Sequence, residues 1–236
     1  MNDLEYRMAR PADSPRPSSP RPRDCPACGS PQTAAFGPRR APPPAQIATA
    51  RCARCALVFV DPVPSEATRG ESYGADYYEP WQGREEGARI RLWKRRLALI
   101  EERSPRGALL DIGCGDGLFL KIARQAGWKV EGVEFSLEGA RRASQRLGRP
   151  VAVGDLAHEH LLTGPFDVLT LWHVLEHLAE PAPMLDAARV RLRPGGLLVV
   201  AVPNLDNLPM QIAYRLARGR RLPLYEIGRA SCRERV

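Results

Sequence analysis

Residues 109–117 have the sequence LLDIGCGDG, in which an apolar run ends in Asp111 and leads into a turn with glycine at every second position. Because glycine has no Cβ atom, Gly113, Gly115 and Gly117 permit the positive φ values of a tight turn and allow a ligand to approach the backbone. Such a turn is typical of the junction between a buried strand and a helix in nucleotide-binding sheets. The segment therefore predicts a nucleoside pocket.

A second apolar run, at residues 130–133, ends in Glu134. A carboxylate at the tip of the neighbouring parallel strand is placed to accept hydrogen bonds from the hydroxyls of a ribose. In dinucleotide-binding proteins the third glycine of the turn falls where this chain has Leu118, so the spacing here is GxGxG instead of GxGxxG. This difference disfavours NAD, and with it an oxidoreductase, and favours a cofactor that has no pyrophosphate.

The chain alternates between strand and helix patterns from residue 109 onward. We predict strands at 109–112, 128–133, 150–153, 166–172 and 196–202, and helices at 117–126, 137–147 and 182–191. This alternation predicts an α/β fold, a doubly wound and mostly parallel Rossmann-like sheet with helices on both faces. Ligands of such sheets bind at the carboxyl ends of the strands, where the acids and glycines above all fall.

Five segments between about residues 104 and 205 occur in the order found in one known family. Besides the glycine turn and Glu134, they are Gly154-Asp155, residues 166–178 and residues 192–204. In this order they resemble the class I S-adenosylmethionine-dependent methyltransferases. The resemblance implies S-adenosylmethionine as the cofactor, with Asp155 holding the adenine amino group. It implies a cofactor site made of Asp111, Gly113, Gly115, Gly117, Glu134, Asp155 and Tyr78.

The loop after the fourth strand faces the transferred methyl group in this family. His173 is therefore the first candidate for a catalytic base, with Glu176 and His177 behind it. The three residues also spell HxxEH, the signature of inverted zinc proteases, but here the motif begins where a parallel strand ends, which argues against a protease. Some methyltransferases with Glu-x-x-Glu-His at this place hold a divalent ion. His173 replaces the first of those glutamates, so metal assistance stays an open alternative.

An apolar stripe precedes the predicted sheet and indicates a helix in the second half of residues 73–103. Its members recur at steps of three or four: Ile90, Trp93, Leu97 and Ile100. The aromatic residues Tyr77, Tyr78 and Trp81 lie just upstream of it. They are candidates for a lid over the cofactor's sulfonium, which a π face attracts. Ordinary aromatic packing is the equally supported alternative.

Two CxxC pairs, Cys25/Cys28 and Cys52/Cys55, lie 23 residues apart. This ligand spacing is typical of a zinc ribbon in which four thiolates hold one structural Zn²⁺. Zinc ribbons in other proteins bind nucleic acid. Here the second pair continues into an apolar run, residues 56–60, which favours docking within the protein over contact with phosphates.

The chain carries 35 lysine and arginine residues and a formal net charge of +8. Only three of the basic residues are lysines, and the arginines are scattered among glutamates, so we expect solvated faces and no nucleic-acid partner. No segment has the apolar length of a signal peptide or a membrane span, and we expect a cytoplasmic protein. The sequence does not indicate an oligomeric state.

These patterns divide the chain into five expected parts. They are a disordered tail at 1–23, a zinc ribbon at 24–64, a linker and lid helix at 65–104, an incomplete methyltransferase domain at 105–225, and an artefactual tail at 226–236. Residues 226–236 resemble the translation of a sequencing adapter, and the resemblance implies two more strands after the fifth. We therefore expect the natural protein to be truncated here near Tyr225, with a genuine polar tail as the alternative.

The expected activity is methyl transfer to a small-molecule or glycan acceptor, at a hydroxyl group. The alternative from a different class of function is a non-catalytic scaffold that keeps the nucleoside pocket and is anchored by the zinc ribbon. The intact set of acids and glycines favours the enzyme, and the sequence does not identify the acceptor.

Overall fold

A computed structural model of the chain describes residues 22–36, 49–61, 86–154, 156, 164–178 and 181–202. They form a three-stranded antiparallel sheet and a five-stranded parallel sheet. None of the helices within this part of the chain combines the length and the apolar character that a membrane span needs.

The small sheet contains the strands β1 (Thr33–Phe36), β2 (Thr49–Cys52) and β3 (Val58–Val60), with β2 in the centre. Side chains of the two CxxC turns and of the strands share one core, whose buried members are Cys25, Ala50, Cys52, Leu57 and Phe59. The packing of Cys25 against β2 and β3 brings the first CxxC turn beside the second. This arrangement has the architecture of a zinc ribbon.

The large sheet has the strand order β6-β5-β4-β7-β8. Its strands are β4 (Ala108–Ile112), β5 (Lys129–Glu134), β6 (Ala152–Val153), β7 (Phe166–Trp172) and β8 (Leu192–Ala201). The chain adds β5 and β6 on one side of β4 and then crosses over to add β7 and β8 on the other side. Ligands bind at the carboxyl ends of the strands beside such a reversal of strand order.

Helices cover both faces of this sheet. They are α1 (Glu86–Glu101), α2 (Leu118–Gln125), α3 (Leu137–Leu147) and α4 (Pro181–Arg191), together with a 3₁₀ turn at Leu175–His177. Successive strand residues point to opposite faces. Leu109 therefore packs with α1, α2 and α3, while Leu110 belongs to a second core with α4. Both leucines are fully buried.

The predicted α/β fold class, with a mostly parallel sheet and a small zinc ribbon, is confirmed. Helix α2 begins one residue later than predicted because Gly117 has a φ of 73° and precedes the helix as its N-cap. Strand β6 keeps only its last two predicted residues. Strand β8 begins at Leu192, and its pairing with β7 is irregular between Phe166 and Val168. The predicted domain limits remain predictions, and residues 1–21 and 203–236 lie outside the described part.

Candidate cofactor and active site

The glycine turn follows β4 at the carboxyl edge of the large sheet. Gly113, Gly115 and Gly117 have φ values of 70°, 56° and 73°, a region that residues with a side chain rarely adopt. A Cβ atom on Gly113 would lie 2.5 Å from Val174 Cγ2, and one on Gly117 would lie 2.9 Å from the Cα of Ala143. The turn therefore requires glycine for its own geometry.

The carboxylate of Glu134 bridges two backbone segments at the end of β5. Its Oε2 accepts a hydrogen bond from the Gly115 N–H at 2.7 Å, and its Oε1 accepts one from the Ser136 N–H at 2.9 Å. Burial raises the pKa of this carboxyl group, and the backbone donors oppose that rise. The Phe135 backbone N–H is a third donor, and because a carboxylate has about four acceptor sites, Glu134 can hold the glycine turn and still accept a hydrogen bond from a ligand.

Asp111 lies inside the sheet, beneath the turn. Its side chain is only 2% exposed, and its Oδ1 accepts a 2.6 Å hydrogen bond from the Thr170 hydroxyl on β7. Burial raises the pKa of Asp111 to about 8, and the nearby Glu134 adds to the rise. The structure thus places this predicted site residue between two strands, where it supports the turn from below.

Asp116, which the sequence analysis did not single out, connects three helices. It lies one residue before the N-cap Gly117 and accepts a hydrogen bond from the Leu118 N–H, at the first residue of α2, at 3.2 Å. Arg89 on α1 donates to both of its carboxylate oxygens, at 3.0 and 2.8 Å, and Arg146 on α3 donates at 3.1 Å. An aspartate just before a helix is a recognisable capping signal. The two arginine partners carry no local signal, because they are 27 and 30 residues away.

His173 directly follows β7 and has a φ of 58°. Its Nδ1 lies 3.2 Å from Oε1 of the buried Glu176, and its Nε2 lies 3.5 Å from a terminal nitrogen of Arg96. A guanidinium can only donate, so Nε2 is the acceptor and Nδ1–H is the donor to Glu176. The third predicted catalytic residue, His177, is half-buried, hydrogen-bonds to the His173 backbone and lies near Glu176, and desolvation lowers its pKa. The structure therefore brings all three predicted catalytic residues together.

Three aromatic rings pack beside His173. The centroids of Trp93, Phe119 and Trp172 are 5.3 to 5.5 Å apart. The Arg96 guanidinium carbon lies 4.8 Å from the centroids of both indoles. Trp93 and Arg96 are three residues apart on α1 and so share a face, a spacing that is visible in the sequence. Their contact with Trp172 depends on the packing of α1 on the sheet.

An exposed aromatic side chain also follows Glu134. Phe135 is 56% exposed at the carboxyl edge of the sheet, although a phenyl ring is usually buried. The sequence analysis did not single it out. Two of the predicted cofactor residues, Tyr78 and Asp155, lie outside the described residues, as do the other lid candidates, Tyr77 and Trp81.

The four predicted zinc ligands lie together, with all Sγ atoms within 4.8 Å of one another. The Sγ atoms of Cys25 and Cys55 are 3.6 Å apart, and those of Cys28 and Cys52 are 3.7 Å apart. Tetrahedral zinc with Zn–S distances of about 2.3 Å separates its sulfurs by roughly 3.8 Å. The Cys55 backbone N–H donates to the Cys52 sulfur and lowers the pKa of that thiol. The geometry therefore fits zinc.

Both CxxC turns have the same backbone geometry. Gly29 donates to the Cys25 carbonyl at 2.9 Å, and Ala56 donates to the Cys52 carbonyl at 3.0 Å. These two residues, each following its CxxC pair, have φ values of 65° and 63°. Among the described residues, the four cysteines are the only His, Cys, Asp and Glu group close enough to hold a metal ion. His173, Glu176 and His177 do not form such a group.

A cavity of about 380 Å³ lies at the opposite edge of the sheet, lined in part by Lys129, Phe166 and Arg193. These residues are at or beside the amino-terminal ends of their strands. We place the site at the carboxyl edge, because the glycine turn, Glu134 and His173 all lie there.

A family model described as a methyltransferase domain matches residues 84–228, which is more than half of the chain. The chain belongs to this family and has the fold of the class I S-adenosylmethionine-dependent methyltransferases. It is 36% identical over 102 residues to the ubiquinone biosynthesis O-methyltransferase of Caulobacter sp. (strain K31), a match that covers 41% of this chain and 40% of that protein. The chain thus spans about two fifths of the length of that curated relative.

Further matches extend the comparison. An uncharacterized 37.1 kDa protein in transposon TN4556 of Streptomyces fradiae is 38% identical over 111 residues, covering 44% of this chain and 32% of that protein. The crystal structure of magnesium protoporphyrin IX methyltransferase from Synechocystis PCC 6803 superposes with a TM-score of 0.51 over 72% of this chain and 84% of that one, at 17% identity. This likeness shows the fold alone.

Proposed function

We propose that this chain binds S-adenosylmethionine at the carboxyl ends of β4 and β5 and transfers its methyl group to a hydroxyl of a small-molecule or glycan acceptor. Membership of the methyltransferase-domain family supports the reaction class. The observation that carries the proposal is the bridge from the Glu134 carboxylate to the Gly115 N–H, because it fixes an acid and a glycine turn as one rigid unit. No contact among the described residues favours the scaffold alternative.

S-adenosylmethionine supplies a methyl group activated by its sulfonium. The residues present fit the rest of this molecule. A carboxylate has about four acceptor sites, so beside its three backbone donors Glu134 keeps one for a ribose hydroxyl, and the exposed ring of Phe135 offers an apolar surface for the adenine. The resemblance adds Asp155 for the adenine amino group and Tyr78 for the lid, and Gly113 and Gly117 complete the turn.

We propose His173 as the base that removes the acceptor's proton through Nε2, whose single lone pair exchanges its long 3.5 Å contact with Arg96 for the acceptor's hydroxyl. Glu176 accepts from Nδ1–H, so it orients the ring and stabilises the positive charge that develops when Nε2 takes up a proton. A positioned base contributes about 10²–10⁴-fold to a rate. His177 is half-buried, hydrogen-bonds to the His173 backbone and lies near the Glu176 carboxylate, so its contribution is to position the loop that carries the pair.

Two measurements test this function. Calorimetry should detect binding of S-adenosylhomocysteine, and incubation with methyl-labelled S-adenosylmethionine should label acceptors in a panel of phenols, catechols and sugars. His173→Asn, chosen because Asn tolerates a positive φ, should lower the transfer rate about 10²-fold or more while S-adenosylhomocysteine still binds. His177→Asn is the matched control. Absence of S-adenosylhomocysteine binding would refute the function, and an active His173→Asn variant would refute the base.

We also propose that Cys25, Cys28, Cys52 and Cys55 hold one structural Zn²⁺. The short Sγ–Sγ distances support this proposal, and so does the absence of a disulfide among the described cysteines. Elemental analysis should find one zinc per chain in the wild type and in Cys114→Ala, and none in Cys28→Ser. Four thiols that titrate freely in the native protein, with no metal present, would contradict the site.

A further inference from the structure

Arg96 projects from α1 into the aromatic cluster next to His173. Its guanidinium carbon lies 4.8 Å from the ring centroids of both Trp93 and Trp172. Cation–π contacts with two indoles hold the planar group in one orientation. One terminal nitrogen lies 3.5 Å from His173 Nε2, so the guanidinium is beside the proposed base.

No carboxylate pairs with Arg96 among the described residues, and its one hydrogen-bond contact there is with Nε2 of His173. Arg89, about two turns earlier on α1, shows the contrast, because both its terminal nitrogens donate to Asp116. Burial lowers the pKa of Arg96, which is the expected cost of a desolvated cation. The indole N–H groups of Trp93 and Trp172 are buried and have no acceptor in the described part. Arg96 and the two indoles thus offer donors and positive charge, while the Glu176 carboxylate hydrogen-bonds to His173 on its Nδ1 side.

We infer that Arg96, held against Trp93 and Trp172 beside His173, binds a carboxylate or phosphate group of the methyl acceptor. The inference rests on the proposed function, because His173 marks the acceptor side only if this chain is a methyltransferase. A guanidinium has five N–H donors in a rigid fork that matches two oxygens of such an anion. Only one of its nitrogens faces His173, so the rest of the fork is available.

The placement has a chemical consequence for acceptor choice. An anionic group on Arg96 puts the rest of the acceptor next to Nε2, where a hydroxyl can give up its proton. Lysine in place of Arg96 would keep the charge and lose the two-oxygen geometry. A neutral acceptor would leave the half-buried cation without a counter-charge, so the site discriminates by charge as well as by shape.

The test uses the full chain with S-adenosylhomocysteine at saturation and constant ionic strength. Ligand-observed NMR titrations compare benzoate with benzamide, which has nearly the same shape and no charge, and include phenyl phosphate as the phosphate arm. We expect the wild type to favour at least one anion over benzamide. Arg96→Gln should lower that preference by roughly tenfold or more, and Arg96→Lys should restore only part of it.

Arg95→Gln is the matched control, because Arg95 is exposed on the same helix and its loss removes the same charge. It should leave the preference unchanged. Equal binding of benzoate, phenyl phosphate and benzamide to the wild type overturns the inference, as does an equal loss in Arg95→Gln. S-adenosylhomocysteine binding is measured in each variant. Its absence in the wild type refutes the proposed function, whereas normal binding without anion preference refutes only the role of Arg96.

Discussion

Glu134 is the residue on which the cofactor proposal depends most directly. Gln in its place would substitute an NH₂ group for one carboxylate oxygen, and that group cannot accept from the Gly115 or Ser136 N–H. We expect Glu134→Gln to weaken S-adenosylhomocysteine binding by about 1.5–3 kcal/mol, the usual value of hydrogen bonds to a charged group. Calorimetry measures the change.

The control for this prediction is Glu131→Gln, which changes an acid on the same strand away from its carboxyl end. It should bind S-adenosylhomocysteine like the wild type. Unchanged affinity in Glu134→Gln would remove Glu134 from the cofactor site and leave it with a purely structural role in the turn.

Residues with local signals could be placed from the sequence, and residues that act through long-range packing could not. The glycine turn and Glu134 could be predicted because strand ends and turns are indicated by residues that are adjacent in the sequence. Arg96 and His173 are in contact although they are 77 residues apart in the sequence, and the spacing of apolar residues within a helix or strand does not predict such a contact. The orientation of Asp111 was also hidden, since alternation within a strand does not reveal that its carboxyl group faces Thr170 on the neighbouring strand.

At the scale of elements, the two CxxC turns differ at one equivalent position. The first has Gly29 and the second has Ala56, both in the left-handed region. A residue with a side chain pays about 1–2 kcal/mol of backbone strain in this region. Replacing Ala56 with glycine would relieve that strain, and part of the gain is offset because glycine is more flexible in the unfolded chain. We therefore expect Ala56→Gly to stabilise the metal-bound ribbon by about 0.5–1 kcal/mol, measured as resistance of zinc to a competing chelator.

Two variants check the reason for this stabilisation. Ala53→Gly changes the same turn at a residue without a positive φ and should bring no gain. Gly29→Ala should weaken zinc retention, and it should do so through the backbone alone, because no atom lies within 4 Å of the added Cβ. Equal gains in Ala56→Gly and Ala53→Gly would show that backbone strain is not the cause.

The same contrast between local and distant information holds for whole elements. Strands β4, β5 and β7 follow their predicted limits within one or two residues, because buried parallel strands are continuous apolar runs. Strand β6 is shorter than its apolar run, since its pairing with β5 is limited to Ala152 and Val153. The length of β6 is therefore set by its pairing with β5, and it cannot be predicted from the sequence of β6 alone.

At the scale of the whole molecule, the buried Asp111 links the stability of the sheet to pH. The folded chain holds a proton on Asp111 up to a pKa of about 8, whereas the unfolded chain releases it near the ordinary value of 3.8. Over this window the unfolded state binds fewer protons, so the free energy of unfolding falls as the pH rises and levels off above about 8. Burial of Glu134 acts in the same direction.

Asp111→Asn removes this titration and keeps an oxygen that accepts from Thr170, so it should flatten the fall in stability between about pH 5 and pH 8. Relative to the wild type, the variant's free energy of unfolding should increase as the pH rises, by at least about 1 kcal/mol at pH 8. One unit of pKa shift corresponds to 1.36 kcal/mol. Urea unfolding followed by tryptophan fluorescence reports on the large sheet, because Trp93, Trp128 and Trp172 pack in it or against it. Asp186→Asn, at an exposed acid on α4, should keep the wild-type slope. Parallel pH profiles for Asp111→Asn and the wild type would mean that Asp111 is ionised in the folded sheet and that its hydrogen bond with Thr170 compensates for burial.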